Sequence, residues 1–333
     1  MTSTLDPDQA QRASGRPRRV DGRLVVVLVI IVLCTRGTVS GSLNPVALRT
    51  WTTVFVAIVV QALPFLVLGV LVSGAITALV PPAVLARLLP RSPVLAVPSA
   101  AVAGTVLPGC ECASVPIAGR LTARGVQPAA ALAFMLAAPA VNPVVLVATA
   151  VAFPGQPRMV LARFLGSLAT SIAVGLLWWR VGDQRWMERA RQRVAGDGGA
   201  GWPAFGSAAR HDLWDAGGWL VVGAAAAATL QVVVPRSLLL AVADHPALSV
   251  LALGGLAVLL AICSEADAFV AASLREFSLT ARLVFLVVGP AVDVKLIAMQ
   301  AGVFGRGFAA RFAPLTFAVA VVCAVATAQL VLR

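Results

Sequence analysis

Long apolar runs alternate with short polar breaks along most of the chain. A transmembrane helix needs about 20 predominantly apolar residues to cross the hydrocarbon core, and several of the runs reach that length. The pattern therefore predicts an all-α polytopic membrane protein. The apolar runs lie near residues 24–40, 51–79, 93–108, 128–152, 158–179, 213–234, 247–263, 280–303 and 312–332.

Two of these runs are each followed by a second helical stretch that is too short to span. The run 93–108 is followed by a stretch from Ala113 to Arg124, and the run 247–263 by a stretch that ends near Phe277. Helices of this length cannot cross a bilayer. We therefore expect about seven spanning helices plus two re-entrant helical hairpins.

The distribution of basic residues along the chain discriminates between two topologies for residues 93–124, a hairpin and a single broken crossing. A broken crossing would place the Arg-rich segment 180–210 opposite the Arg-rich N-terminal tail, against the positive-inside rule. A hairpin that enters from the cytoplasm puts both segments on the cytoplasmic side. The sequence thus predicts a cytoplasmic tail at 1–22, a first span or signal anchor at 23–40, and a basic cytoplasmic linker at 180–210.

An internal repeat divides the rest of the chain into two halves. A shift of 151 residues lays Cys112 on Cys263 and Asn142 on Asp293, and a shift of 154 lays Gly69 on Gly223. The predicted halves are residues 51–179 and 211–333. Each half has three crossings and one hairpin, and the odd number inverts one half relative to the other. Inverted repeats with interrupted helices are typical of secondary transporters.

Composition and charge exclude several other classes of protein. Hydrophobic residues make up 59% of the chain and charged residues 12%, which is too little charge for a soluble domain. The net charge of +12 comes from Arg residues that flank apolar runs, without the interleaved aromatics of a nucleic-acid site. No nucleotide-binding loop or catalytic motif occurs. We expect no enzyme, no cofactor and no nucleic acid, with the lipid bilayer and a small solute as partners; the oligomeric state stays open.

Prolines are concentrated where the short segments meet the spans, and they predict interrupted helices at membrane depth. A proline removes a backbone donor, which is tolerable in a membrane where the freed backbone lines a cavity or is buried in protein. Ordinary proline kinks are the alternative. The residues predicted to break helices are Pro108, Pro116, Pro139, Pro143 and Pro290.

The same segments place polar residues at matching depths. Cys112 and Asn142 each lie 15 residues from Gln127, and Cys263 and Asp293 each lie 15 residues from Ser278. With a rise of about 1.5 Å per residue, all four positions should reach a depth of roughly 20 Å. We therefore expect a solute site at the midplane.

Ionisable residues at membrane depth are costly, at least about 2.5–3.5 kcal/mol each on insertion scales, and are functional candidates by default. Burial favours a neutral carboxyl, so Glu111 and Asp293 are candidate proton carriers, with Glu111 preferred because its own half has no basic residue near it. The alternative is a structural ion network of Glu265, Asp267 and Lys295. We expect Lys295 to reach Glu265 or Asp267.

The cysteines allow two interpretations. None of the five lies in a polar loop, so no disulfide framework is expected. Cys110, Cys112 and Cys263 are either soft ligands for a thiophilic solute or small apolar fillers. His211 and His245 do not suggest a metal site.

The segment from Cys110 to Gly125, followed by Ala138 to Pro143, resembles the bacterial predicted-permease family that includes the ArsP-type methylarsenite efflux permeases. The resemblance implies an inner-membrane permease, some members of which export trivalent organoarsenicals through cysteine thiols. It carries Cys110, Cys112 and Asn142 over as candidate site residues. The glutamate between the two cysteines departs from the family's usual small residue.

The sequence therefore predicts a permease that moves a small solute by alternating access, with efflux of a thiophilic metalloid or organoarsenical as the resemblance suggests. The substrate-binding candidates are Cys110, Cys112, Asn142, Cys263 and Asp293. An ion channel without thiol chemistry and a membrane scaffold or redox-sensing subunit are the alternatives.

Overall fold

A computed structural model describes residues 45–79, 90, 92–106, 110–182, 202–233 and 245–333, and these ranges contain helices and no β-strand. The first run and the tail before it, residues 1–44, lie outside the described residues, as do Cys34, Pro108 and most of the predicted linker. The helices are α1 (Pro45–Leu79), α2 (Pro93–Val106), α3 (Glu111–Ala123), α4 (Pro128–Ala140), α5 (Pro143–Ala152), α6 (Pro157–Val181), α7 (Trp202–Val233), α8 (Pro246–Leu260), α9 (Ser264–Ser273), α10 (Leu279–Ala291), α11 (Val294–Val303) and α12 (Arg306–Val331).

Five segments of the described chain are long and apolar enough to cross a membrane. They are α1, α4 with α5, α6, α10 with α11, and α12, and all five match apolar runs of the sequence. The helices α2 and α8 are apolar but shorter, and α7 is not among the five. The multi-pass helical character is thus confirmed, whereas the count of seven spans stays a prediction.

Among the described residues, two series of six helices follow one another in the same order. In both series a long helix is followed by two short ones, then by a crossing that is broken in two, then by a second long helix. The broken crossings have identical lengths: α4 and α10 each have 13 residues, and α5 and α11 each have 10. We refer to α1–α6 as the first series and to α7–α12 as the second series.

The breaks follow prolines in both series. Pro139 is the penultimate residue of α4 and Pro290 the penultimate residue of α10, and each helix ends one residue later. Pro143 occupies the first position of α5, where its missing N–H would have no intrahelical partner. The expectation for Pro116 is wrong, because α3 continues through it; one lost hydrogen bond did not interrupt this buried helix.

The two short helices before each broken crossing lie beside it rather than in line with it. Ala96 and Ala100 at the start of α2 pack on Ala130 near the start of α4. A Cβ at Gly104, near the end of α2, would meet Ala138 near the end of α4. Helices α2 and α4 therefore run parallel, while α3 reverses into α4 through a tight turn in which Gly125 has φ +91°. In the second series, α8 and α9 likewise both pack on α10.

The two series meet through their short helices. Helix α3 packs on α11, and α9 packs on α5, so the second short helix of each series contacts a half-crossing of the opposite series. The long helices α1 and α7 pack on each other and cover the α3–α11 pair: Gly69 of α1 lies against the backbone of Ala113, and Gly223 of α7 against the backbone of Lys295. The broken crossing α10–α11 is the most enclosed candidate span, 83% buried against 28% for α12.

Candidate functional site

Four helices begin at buried polar or thiol residues in the interior of the bundle. The cap residues are Cys110 for α3, Asn142 for α5, Cys263 for α9 and Asp293 for α11, and each is at most 3% exposed. Helix N-termini carry unpaired N–H groups and a partial positive charge, which suits them to anions and polar ligands. The side chains at these four starts therefore decide what the interior of the bundle can bind.

Helices α5 and α11, the second halves of the two broken crossings, are capped by side chains with equivalent hydrogen bonds. Oδ1 of Asn142 accepts from the backbone N–H of Val145 at 3.0 Å, and Oδ1 of Asp293 accepts from the backbone N–H of Leu296 at 2.5 Å. Asn142 also donates from Nδ2 to the carbonyl of Ala138 at 3.0 Å. The cap accounts for the type of residue at both positions, since Asn and Asp are among the best N-caps.

Helices α3 and α9 touch at their first residues. The hydroxyl of Ser264 donates to Oε1 of Glu111 at 2.6 Å, and both residues are fully buried. Just before them, the thiols of Cys110 and Cys263 interact with each other, and Cys110 also interacts with Cys112. All three cysteines are free thiols. The thiols predicted as soft ligands are thus brought together from both series.

The starts of α3 and α9 correct the register of the predicted repeat. The sequence comparison laid Cys112 on Cys263, but the helix starts make Cys110 the equivalent of Cys263 and Glu111 the equivalent of Ser264. Helices α3 and α9 are therefore offset by 153 residues, while the broken crossings keep the offset of 151. The difference arises because α9 has 10 residues where α3 has 13, whereas the turn after α9 has one residue more than its counterpart. Residues at equivalent positions thus contact each other, as the hydrogen bond from Ser264 to Glu111 illustrates.

Lys295 does not lie where we expected it. Its Nζ is 3.5 Å from Oε2 of Glu111 and 3.7 Å from Oδ2 of Asp293, and neither Glu265 nor Asp267 is its ion-pair partner in the described structure. The expectation assumed a regular helix on which Asp293 and Lys295 face different ways. Asp293 instead caps α11 with extended backbone, φ −141° and ψ 169°, so its carboxylate turns back over the first turn.

The preference for Glu111 over Asp293 as proton carrier loses its premise, because basic residues do lie near Glu111. Lys295 of the opposite series is 3.5 Å from it, and Arg163 of its own series bonds the carbonyl of Ser264, whose hydroxyl donates to Glu111. Glu111 and Asp293 now share one ammonium group, and their Oε2 and Oδ2 atoms make no hydrogen bond with described residues.

The four polar residues predicted to lie at one depth, Cys112, Asn142, Cys263 and Asp293, stand on helices that pack between the two series. The packing joins α3, with its cysteines, to α11, and α9 to α5. The interior site is therefore shared between the two series.

Sequence reasoning missed Arg163, a fully buried arginine on α6. Its guanidinium donates to the hydroxyl of Thr149 and to the carbonyl of Ser264, both at 2.8 Å, while its Nε has no hydrogen-bond partner. The sequence carried a signal, because this basic residue stands inside the apolar run 158–179 rather than at its edge. We had treated the arginines collectively as markers of topology.

The described residues contain no group of three or more His, Cys, Asp or Glu side chains arranged to hold a metal ion. Coordination by three thiols is therefore not formed in this conformation. An apolar pocket of about 550 Å³ lies at the Phe153 turn between α5 and α6, and no charged side chain lines it.

Comparisons with known proteins agree on the class of this protein. The chain is 36% identical over 277 residues to UPF0718 protein YcgR of Bacillus subtilis (strain 168), covering 81% of this chain and 94% of that protein. It is 32% identical over 266 residues to a putative two-component membrane permease complex subunit of Streptococcus mutans serotype c, covering 78% of this chain and 88% of that protein. No solved structure matches the chain.

The sequence pattern that defines the predicted permease family ArsP_1 matches residues 47–329, which include all of α2–α11 and all but two residues each of α1 and α12. The resemblance seen around the Cys110–Cys112 pair thus extends over most of the chain. This multi-pass membrane protein belongs to the predicted permease family.

Proposed function

We propose that this protein is a secondary permease that binds a small solute where the starts of α3, α5, α9 and α11 meet, and exposes that site alternately to the two sides of the membrane. The observation that best supports this proposal is the direct contact between helices α3 and α9, from Glu111 to Ser264, with the thiols of Cys110 and Cys263 beside it. A site composed of both series changes shape when the series move against each other.

Seven spans, two re-entrant hairpins and an inverted repeat are part of this proposal. The parallel course of α2 and α4 supports a hairpin, because one broken crossing would place α2 beside α5 instead. The shared order and lengths of the two series support the repeat. Interrupted helices whose ends point at a central site are common in secondary transporters built from inverted repeats.

The chemistry of the site favours a solute with a soft centre. Thiols are soft ligands, and two of them approach each other from opposite series. We therefore propose a thiophilic solute such as a trivalent organoarsenical, moved outwards, with Cys110 and Cys263 as first contacts and Cys112 as a third thiol that joins when the site rearranges. Asn142 and Asp293 hold the helix starts around it.

The experiment is uptake of methylarsenite into inside-out vesicles that contain the full chain, with and without a proton gradient. The proposal predicts gradient-dependent accumulation that is lost in the Cys110→Ser, Cys263→Ser double variant. The control is Cys323→Ser, since Cys323 lies on α12 outside the thiol group. Flux that follows the membrane potential for simple ions and ignores methylarsenite would indicate a channel; no flux of either kind would indicate a scaffold.

A further inference from the structure

Asp267 is a buried carboxyl without an ion-pair partner among the described residues. It lies in the first turn of α9 and is 2% exposed, and its Oδ2 has no hydrogen-bond partner among the described residues. No basic side chain of the described chain lies within the 4.0 Å of an ion pair. A carboxylate that is ionised, buried and unpaired is among the most costly arrangements in a protein interior.

The space for this carboxyl is provided by a glycine of the neighbouring crossing. Oδ2 of Asp267 lies against Gly289 of α10, so closely that a Cβ at that position would collide with it. Gly289 directly precedes Pro290, where α10 is about to end. The carboxyl is therefore held against the backbone at the break of the crossing that carries Asp293.

The charged groups around Asp267 come from three other helices. They are Arg163 on α6, Glu111 on α3, and Asp293 and Lys295 on α11. The two helices packed directly on α9 add little: α5 has no ionisable residue, and Arg282 of α10 lies over the ring of Phe153. Lys295 is engaged by Glu111 and Asp293, which leaves Arg163 as the one nearby cation without an acidic partner in the described structure.

The arrangement of Arg163 indicates the protonation state of Asp267. An ionised Asp267 would attract the guanidinium, since opposite charges attract strongly in a medium of low dielectric. The guanidinium instead donates to two neutral groups, a hydroxyl and a carbonyl, and leaves its Nε unused. This is the pattern expected around a neutral carboxylic acid.

We propose that Asp267 carries the coupling proton of the permease, and that Arg163 displaces this proton when the two series move. The inference rests on the proposed function and names its proton-carrying residue. In the conformation described here, Asp267 is a carboxylic acid. When α9 shifts relative to α6, the guanidinium pairs with the carboxyl, the O–H bond breaks, and the proton passes to water on the side that is then open. The reverse movement separates the pair, and the carboxylate takes up a proton from the other side.

The first test needs no solute. Infrared spectra of the full chain in lipid nanodiscs at neutral pH should contain a C=O band of a protonated carboxylic acid, shifted by exchange into D₂O. Asp267→Asn should remove this band, and Glu276→Gln, an exposed acid of the turn after α9, should retain it. Loss of an ionised carboxylate band in Asp267→Asn would overturn the proposal. Should that variant fail to fold, Asp267→Glu should shift the acid band, and an unshifted band would overturn the proposal equally.

The second test uses methylarsenite as the probe in vesicles. Asp267→Asn should lose accumulation driven by a proton gradient but retain exchange of labelled for unlabelled methylarsenite at equal pH, because a neutral side chain still permits the movement. If the variant accumulates methylarsenite as the wild type does, Asp267 is not the carrier and the permease proposal stands. If the wild type moves no methylarsenite but its carboxylic-acid band still depends on Asp267, the proposed function is wrong, whereas the protonation of buried Asp267 is supported.

Discussion

The two series of helices share a framework but differ in the charge they carry at equivalent positions. The second half of the broken crossing, α5, is capped in the first series by Asn142, whose amide makes hydrogen bonds to neighbouring backbone groups. In the second series α11 is capped by Asp293, whose carboxylate lies beside Lys295. Further along the hairpin helices, Ser114 of α3 corresponds to Asp267 of α9. The hydroxyl of Ser114 donates a hydrogen bond to the carbonyl of Glu111, whereas Oδ2 of Asp267 has no hydrogen-bond partner among the described residues.

In the proposed permease, this difference would separate solute contact from proton coupling. The features common to both series are the broken crossing, the capped helix starts and the thiol just before α3 and α9, and in the proposed function they shape the site. Several buried ionisable residues are not repeated: Asp267, Asp293 and Lys295 stand in the second series, whereas Glu111 and Arg163 stand in the first and reach residues of the second. The position equivalent to Arg163 on α12 is Phe312, a buried aromatic residue. We infer that residues of both series contact the solute, whereas the proton is bound mainly by residues of the second series.

The largest effect should follow from removing Lys295. Lys295→Met leaves Glu111 and Asp293 buried without a cation, and breaking a buried ion pair from one side typically costs about 3–5 kcal/mol. We expect a lower thermal-unfolding midpoint in detergent and loss of transport. Adding Glu111→Gln and Asp293→Asn to the same chain should recover most of the stability. An unchanged midpoint in the single variant would show that these charges are not coupled.

A second large effect should come from the ion pair that joins α3 to α7. Arg120 donates from Nε and from Nη2 to the two carboxylate oxygens of Asp212 at 3.0 and 2.8 Å, and Ser73 of α1 donates to the same carboxylate at 2.7 Å. Asp212→Asn should cost about 1.5–3 kcal/mol, the usual contribution of hydrogen bonds to a charged group. The nearby Arg210→Gln, an exposed change, should leave the unfolding midpoint unaltered.

An exchange of the two cap residues sharpens the comparison between the series. Asp293→Asn keeps the cap but removes one of the two charges on Lys295, so stability should fall by about 1 kcal/mol or less while the pH dependence of transport changes. Asn142→Asp introduces a carboxylate without a lysine nearby and should impair the protein more. Equal effects of the two changes would contradict the assignment of charge to the second series.

The smallest effect concerns the turn before Cys263. Ala261 ends α8 in the left-handed region, with φ 48°, which is unfavourable for a residue with a Cβ. Ala261→Gly removes that steric cost but adds flexibility to the unfolded chain. We expect a net stabilisation of no more than about 1 kcal/mol by thermal unfolding. A marked loss of transport in this variant would show that the strain itself serves the movement of α9.

Sequence patterns predicted the elements well because each depends on local chemistry. Apolar length marked the spans, and prolines near positions 139 and 290 marked the breaks that the structure shows. What failed depends on contacts between the two series. The partners of Lys295, the register of Cys110 and the burial of Arg163 are set by how the halves pack, and periodicity within one half contains no information on that packing.

The contact between Cys110 and Cys263 allows the most direct test of a site shared by both series. In a chain that retains only Cys110, Cys112 and Cys263, mild oxidation should join Cys110 to Cys263 by a disulfide, with two electrons and two protons passing to the added oxidant. The account predicts that this cross-link stops methylarsenite flux in vesicles and that a reductant restores it. Full cross-linking that leaves the flux unchanged would contradict a transport site at the meeting point of the two hairpin helices.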